Sequence, residues 1–208
     1  MKTSAKGKKV QPTGRGSSFT KTGTTGKTST VKTSTRTGHD EEEETTDNSL
    51  QTLFVNGLKE IYWTEKALVK VLDRFAKATS NEELSDTFFN HKTETEDQIE
   101  RLEQVFEFCD IKPTTKRNMA VEGLIEDAVS IISEFEVGEV RDAGLIMAAQ
   151  KIEHYEMATY ASLCNLAEVL GFEECVDLLS ENLEEERAIE ETLSEVAQLV
   201  YETVMDTY

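Results

Sequence analysis

The 208 residues leave room for one domain and an extension. Two prolines, and eleven glycines of which more than half precede residue 40, argue against a strand-rich fold with many turns. The net charge of −19 is split: residues 1–39 carry nine Lys or Arg and no acid, and the remainder holds 13 basic against 41 acidic side chains. A body that acidic repels nucleic acid and anionic membranes, so only the basic segment could hold them.

No apolar run approaches the ~18 residues of a membrane span. The basic N-terminus has no hydrophobic stretch to make it a secretory signal. Cys109, Cys164 and Cys175 lack metal-ligand spacing and sit in helical runs. They read as small apolar groups in a reducing cytosol, and a cytoplasmic location is expected.

In chain order, residues 1–39 are Lys, Thr, Ser and Gly with almost nothing to bury, which predicts disorder. "GTTGKTST" hints at a phosphate loop but fails, because Lys21 stands where the motif needs glycine and no strand precedes it. "HDEEEETTD" then reverses the charge and reads as a solvated linker or a loose partner of the basic tail. This divides the chain into 1–47, a disordered basic tail with an acidic linker, and 48–208, a helical body.

The first helix is predicted over about 49–78. Ser80 with Glu83 reads as a capping box opening a second helix, about 81–109, which ends before Pro113. Residues 111–139 hold a shorter amphipathic piece, "AVEGLIEDAVSIISEF", expected to cap one end of the body or to build a dimer contact. A third long helix runs from about 140 to 170, with Gly171 as its stop, and a fourth from about 173 to 203. Short, long and short connections predict an all-α, ferritin-like four-helix bundle with a long crossover segment between helices 2 and 3.

Each long helix has an apolar row interrupted by polar residues near its midpoint. Glu65 breaks the row Phe54, Leu58, Ile61, Leu68, Leu72 and Phe75. In the second helix the interruption is His91, Thr95 and Gln98, with Glu94 one turn from both His91 and Gln98. Glu153 and Glu156 interrupt the third row, and Glu186 and Glu190 the fourth.

In an antiparallel bundle the midpoints meet at one level. Carboxylates gathered there repel one another and are costly to desolvate unless a cation lies between them. Lys and Arg are missing from these seams apart from Arg187, so the expected cation is iron or manganese. Glu190 reads as part of a solvated face. His91 reads equally as a ligand, as a hydrogen-bonded core histidine, or as a partner to a ligand. His154 falls off the row, and Tyr62, Tyr155 and Tyr160 read first as core-edge aromatics.

The segments "LKEIYWTEKAL", "HKTETEDQIERLEQVF", "AAQKIEHYEMATY" and "LLSENLEEERAIEETL" closely resemble the YciE/YciF family of ferritin-like bacterial stress-associated proteins, over about residues 49–200. The resemblance implies a dimeric bundle, distantly related to rubrerythrin and manganese catalase, without implying a particular reaction. Carried over position by position, the diiron pattern falls on Glu65, Glu94, Glu153, Glu156 and Glu186, with His91 the one nitrogen candidate. The order His91-x-x-Glu94 is reversed from that pattern, and Ile189 stands where the last helix would carry a histidine.

Two readings of function follow. One is a dinuclear, carboxylate-bridged iron or manganese site that handles oxygen, peroxide or iron. The other is a metal-free dimeric stress protein that acts by binding a partner, its site a relic whose glutamates share protons. In either case residues 1–39 could hold nucleic acid without sequence preference, or be a simple solubilising extension.

Overall fold

The computed structural model describes residues 49–207. The tail and linker expected at 1–47 lie outside the described residues. The rest is helical: α1 (Leu50–Ala78), α2 (Glu82–Phe108), α3 (Met119–Glu134), α4 (Glu139–Leu170) and α5 (Glu173–Thr207). No strand occurs among the described residues, and none of the helices there is long and apolar enough to cross a membrane.

Local chemistry sets the ends of these helices. Ser49 caps α1, its Oγ accepting from the Thr52 N–H at 3.1 Å. The cap of α2 is Asn81, whose side chain accepts from Leu84 N–H at 2.9 Å, and not the expected Ser80. Ser80 is drawn off by a long-range partner. Its N–H and hydroxyl both donate to Asp142, at 3.0 and 2.7 Å, and Asn81 N–H joins them at 3.0 Å. Asp142 is fully buried near the start of α4, where a helix favours negative charge, and it ties the α1–α2 turn to that end of α4. At the other end of α4, Gly171 takes the left-handed conformation (φ 77°) that closes a helix at little cost to glycine.

The four long helices form a ring in which α1 packs on α2, α2 on α5, α5 on α4 and α4 on α1. Neighbours run antiparallel. Phe75 meets Phe88 and Tyr62 meets Phe106 across α1–α2, with ring centroids 5.5 and 5.4 Å apart. Gln150 reaches Ser194 while Asn182 reaches Tyr160 across α4–α5. Gly57 allows α1 close to α4, since a Cβ there would stand 2.9 Å from Leu163 Cδ2. Because α2 and α4 run the same way, the chain must travel the length of the ring between them.

Segment 109–118 and α3 span that distance. Lys116 N–H donates to Lys59 C=O at 2.9 Å, pinning the segment to α1. Asn118 then caps α3, accepting from Ala120 and Val121 N–H. The apolar side of α3 turns toward the chain's own core: Val121 and Ala128 are buried, and the partly buried Leu124, Ile125, Ile131 and Ile132 pack against the core cluster that contains Leu145 and Ile146.

The core has two apolar clusters. One is built around Leu68, Leu72, Phe75, Phe88, Ile146 and Leu193, the other around Phe54, Leu58, Ile61, Leu102, Phe106 and Leu179. Along α1 they occupy successive stretches, and Glu65 lies between them.

Candidate metal centre

Glu65, His91, Thr95, Gln98, Glu153, Glu156 and Glu186 are all at least 98% buried and come from α1, α2, α4 and α5. They form the polar layer between the two apolar clusters. Helical periodicity brings them there, because each stands on the same row as the core residues one or two turns away. One ligand atom from each of His91, Glu153, Glu156 and Glu186 lies within 4.8 Å of the others. His91 Nε2 is 3.4 Å from Glu153 Oε2.

Glu65 belongs to the same layer but is held differently. It accepts a hydrogen bond from the Tyr160 hydroxyl, which in turn accepts from Asn182 Nδ2 at 3.0 Å. Asn182 accepts from Arg101 Nε at 2.5 Å. Gln98 closes another side, its Nε2 donating to Glu186 Oε1 at 2.6 Å and to Glu185 Oε2 at 3.1 Å. Arg101 also pairs with Glu185, so the guanidinium stops outside the layer.

Burial dominates the electrostatics. It pushes the Glu65 carboxyl up to about 7, against the downward pull of the Tyr160 hydroxyl and of His91. Burial, then the neighbouring carboxylates, hold Glu156 well above the ordinary range. Glu186 is raised by burial despite the attraction of His91. His91 is pulled down by burial, but Glu153, Glu94 and Glu186 together outweigh that and leave it well above its usual value.

Eight buried side-chain atoms among the described residues lack a hydrogen-bond partner, and all eight belong to this layer. They are Glu65 Oε2, both ring nitrogens of His91, Gln98 Oε1, Glu153 Oε2, both oxygens of Glu156, and Glu186 Oε2. An orphaned buried polar atom costs roughly 1–3 kcal/mol, and more when charged. Orphans concentrated at one level are what a coordinated cation would satisfy. Oxygen-rich donors with one imidazole suit iron or manganese better than a soft-ligand metal.

The structure thus brings together five of the six residues singled out from sequence. Glu94 is not in the group: its side chain is 49% exposed, and its Oε2 lies 3.8 Å from the outer nitrogen of His91, Nδ1. Glu190 is partly exposed and is met by Gln150 at 3.3 Å. His154 is exposed, its Nδ1 against its own helix.

Tyr160 is fully buried with its hydroxyl on Glu65, a deeper position than a core-edge aromatic. Asn182 and Arg101 join the network without belonging to the rows of candidate ligands. Asn182 had a sequence signal, since it is an amide adjoining Leu179 and Leu183 in the apolar row of its helix. Arg101 had none, because its partners are 80 or more positions away.

Residues 49–205 match the family described as a domain of unknown function, DUF892. The chain is 46% identical over 150 residues to the protein YciF of Escherichia coli, covering 72% of this chain and 90% of YciF. The crystal structure of that protein, described as a stress protein, superposes with a TM-score of 0.72 at 44% identity, over 74% of this chain and 98% of the other. YcfI of Rhodopseudomonas palustris superposes with a TM-score of 0.71 at 36% identity, over 73% of this chain and 96% of its own. A Xanthomonas campestris protein at 19% identity, with a TM-score of 0.63 over 76% of this chain and 98% of its own, shares the fold. The chain therefore belongs to the YciF family, whose domain carries the description DUF892.

Proposed function

We propose that the helical body is a ferritin-like four-helix bundle whose polar layer holds iron or manganese, and that the protein handles oxygen, peroxide or iron under stress. The observation that carries this reading is the set of eight partnerless buried atoms converging from four helices. His91, Glu153, Glu156 and Glu186 would hold one ion. Glu156, both of whose oxygens lack partners and which also interacts with Glu65, is the residue suited to bridge to a second. A metal here would supply Lewis acidity and one-electron chemistry. The chain supplies a rigid oxygen-rich cage, an apolar wall on either side, and a phenol donating to Glu65.

The name of the E. coli relative supports the link to stress. The test is elemental analysis of protein purified without chelators and then offered Fe(II) or Mn(II). One to two ions per chain are expected; well under one overturns the reading.

A second reading rests on the raised carboxyls. Protons shared among Glu65, Glu156 and Glu186 would neutralise the layer without metal. The protein would then be a dimeric stress protein acting through a partner, and sedimentation would give twice the chain mass with or without metal. In both readings residues 1–39, with nine positive charges, are proposed to contact nucleic acid non-specifically. Equal gel shifts with and without those residues would overturn this.

A further inference from the structure

Between α2 and α5 lies a cavity of about 220 Å³ lined by Thr87, Asn90, His91 and Glu94 on one side and Glu185, Ala188, Ile189 and Thr192 on the other. Each set follows the spacing i, i+3, i+4, i+7, so two helix faces meet along the seam. Several of the side chains facing each other there are short, which leaves the seam open at this level. His91 forms its inner wall and is 98% buried, and both ring nitrogens lack hydrogen-bond partners. One nitrogen faces Glu94 at 3.8 Å on the cavity side; the other faces Glu153 at 3.4 Å inside the layer. The imidazole thus separates a carboxylate at the surface from the carboxylates within.

We infer that this cavity is the port through which a divalent cation reaches the polar layer, with Glu94 as the collecting residue at its mouth and His91 as the ring it passes. This deepens the metal reading above and rests on it. Glu94 is suited to the task because it is half exposed, carries charge and adjoins the ring. Glu185 is partly engaged by Arg101 and Gln98. A charged cleft with low-dielectric walls concentrates counter-ions and speeds their capture.

The test is the rate at which full-length apo-protein takes up Mn(II), followed by loss of the free-ion EPR signal. Ala188→Trp, which plugs the mouth from an exposed position, is expected to slow uptake tenfold or more while leaving the final stoichiometry unchanged. Glu94→Gln is expected to slow it about threefold and to weaken its dependence on salt. Ala67→Trp, in the separate groove between α1 and α3, should leave the rate unchanged. Wild-type uptake rates in both Ala188→Trp and Glu94→Gln would overturn the port and leave the metal site standing. Absence of both bound Mn(II) and bound Fe(II) at equilibrium in the wild type would overturn both.

Away from that layer, the sulfurs of Cys109 and Cys175 lie 3.7 Å apart, joining the end of α2 to the first turn of α5. Cys109 is half-buried and Cys175 is buried in the adjoining apolar cluster. The geometry points to a dithiol that a small-molecule disulfide can close. The Cys109 thiolate attacks one sulfur of the oxidant and releases one thiol. The Cys175 sulfur then attacks the mixed disulfide and releases the second. The protein loses two protons and two electrons, and the oxidant becomes two thiols.

Incubation of the full chain with oxidised glutathione should lower the thiols titrated under denaturing conditions from three to one and reduce the mass by 2 Da. It should also raise the melting temperature by about 5 °C or more. Cys109→Ser should prevent the intramolecular bond and Cys164→Ser should not. Three surviving thiols, or glutathione retained on Cys109, would overturn it.

Discussion

The cluster around Phe54, Leu58, Leu102 and Leu179 and the layer around Glu156 use the same helices and equal burial, yet they are completed in different ways. In the cluster every side chain is satisfied by its neighbours, because apolar contact is non-directional and needs only shape. In the layer the side chains are equally hidden but leave eight atoms without partners. Part of the layer does close on itself, through Tyr160, Asn182 and Gln98. The part built from His91, Glu153 and Glu156 does not. Burial alone therefore does not mark a site here; burial combined with unspent donors and acceptors does.

Substitutions should split along that line. The largest effect is expected at Glu156: Glu156→Ala should lower affinity for Fe(II) or Mn(II) by 100-fold or more in calorimetry, since it removes two orphaned oxygens at once. In the cluster, Leu102→Ala should cost about 2–5 kcal/mol in denaturant unfolding while metal stoichiometry holds. If Leu102→Ala emptied the site as well, the two regions would not be separable.

The pH dependence is the next sharpest contrast. The folded pKa of Glu65 is about 7, above its unfolded value, so folding takes up a proton between the two. Its contribution to the stability of the metal-free protein is full below about pH 4.5 and lost as pH rises through 7. Glu156, Glu186 and His91 are shifted upward and act in the same direction. At about 1.4 kcal/mol per pKa unit, Glu65 alone makes this a loss of a few kcal/mol. The melting temperature of metal-free protein should fall across that range, and bound metal should flatten the fall.

Glu65→Gln should accordingly stabilise the metal-free protein at pH 8 by about 1–3 kcal/mol, because it removes a buried charge and keeps an acceptor for Tyr160. The smallest effect is expected at the partly exposed Glu190. Glu190→Ala should stay within about 0.5 kcal/mol and leave metal binding unchanged.

Much of this was legible in the chain itself. Period and breakers located all four long helices, and the interruption of each apolar row by polar residues near its midpoint singled out Glu65, Glu153, Glu156, Glu186 and His91. A row of that kind is a local property, set by 3.6 residues per turn. What a row leaves open is the fate of residues at its edge. Glu94 stands about 60° from His91 around α2, close enough to read as inward from sequence. Only the position of α5 across the seam decides that its carboxyl stays at the surface.

The same holds for Ser80, which reads as a helix cap until Asp142, 62 residues away, claims it. Arg101 likewise meets its partners only in the folded ring. The sequence by itself determined the helices and the polarity of their faces, because these depend on neighbours within a turn or two. The tertiary structure alone decided which polar groups satisfy one another and which remain unspent, because that depends on directional contacts between atoms far apart in the chain.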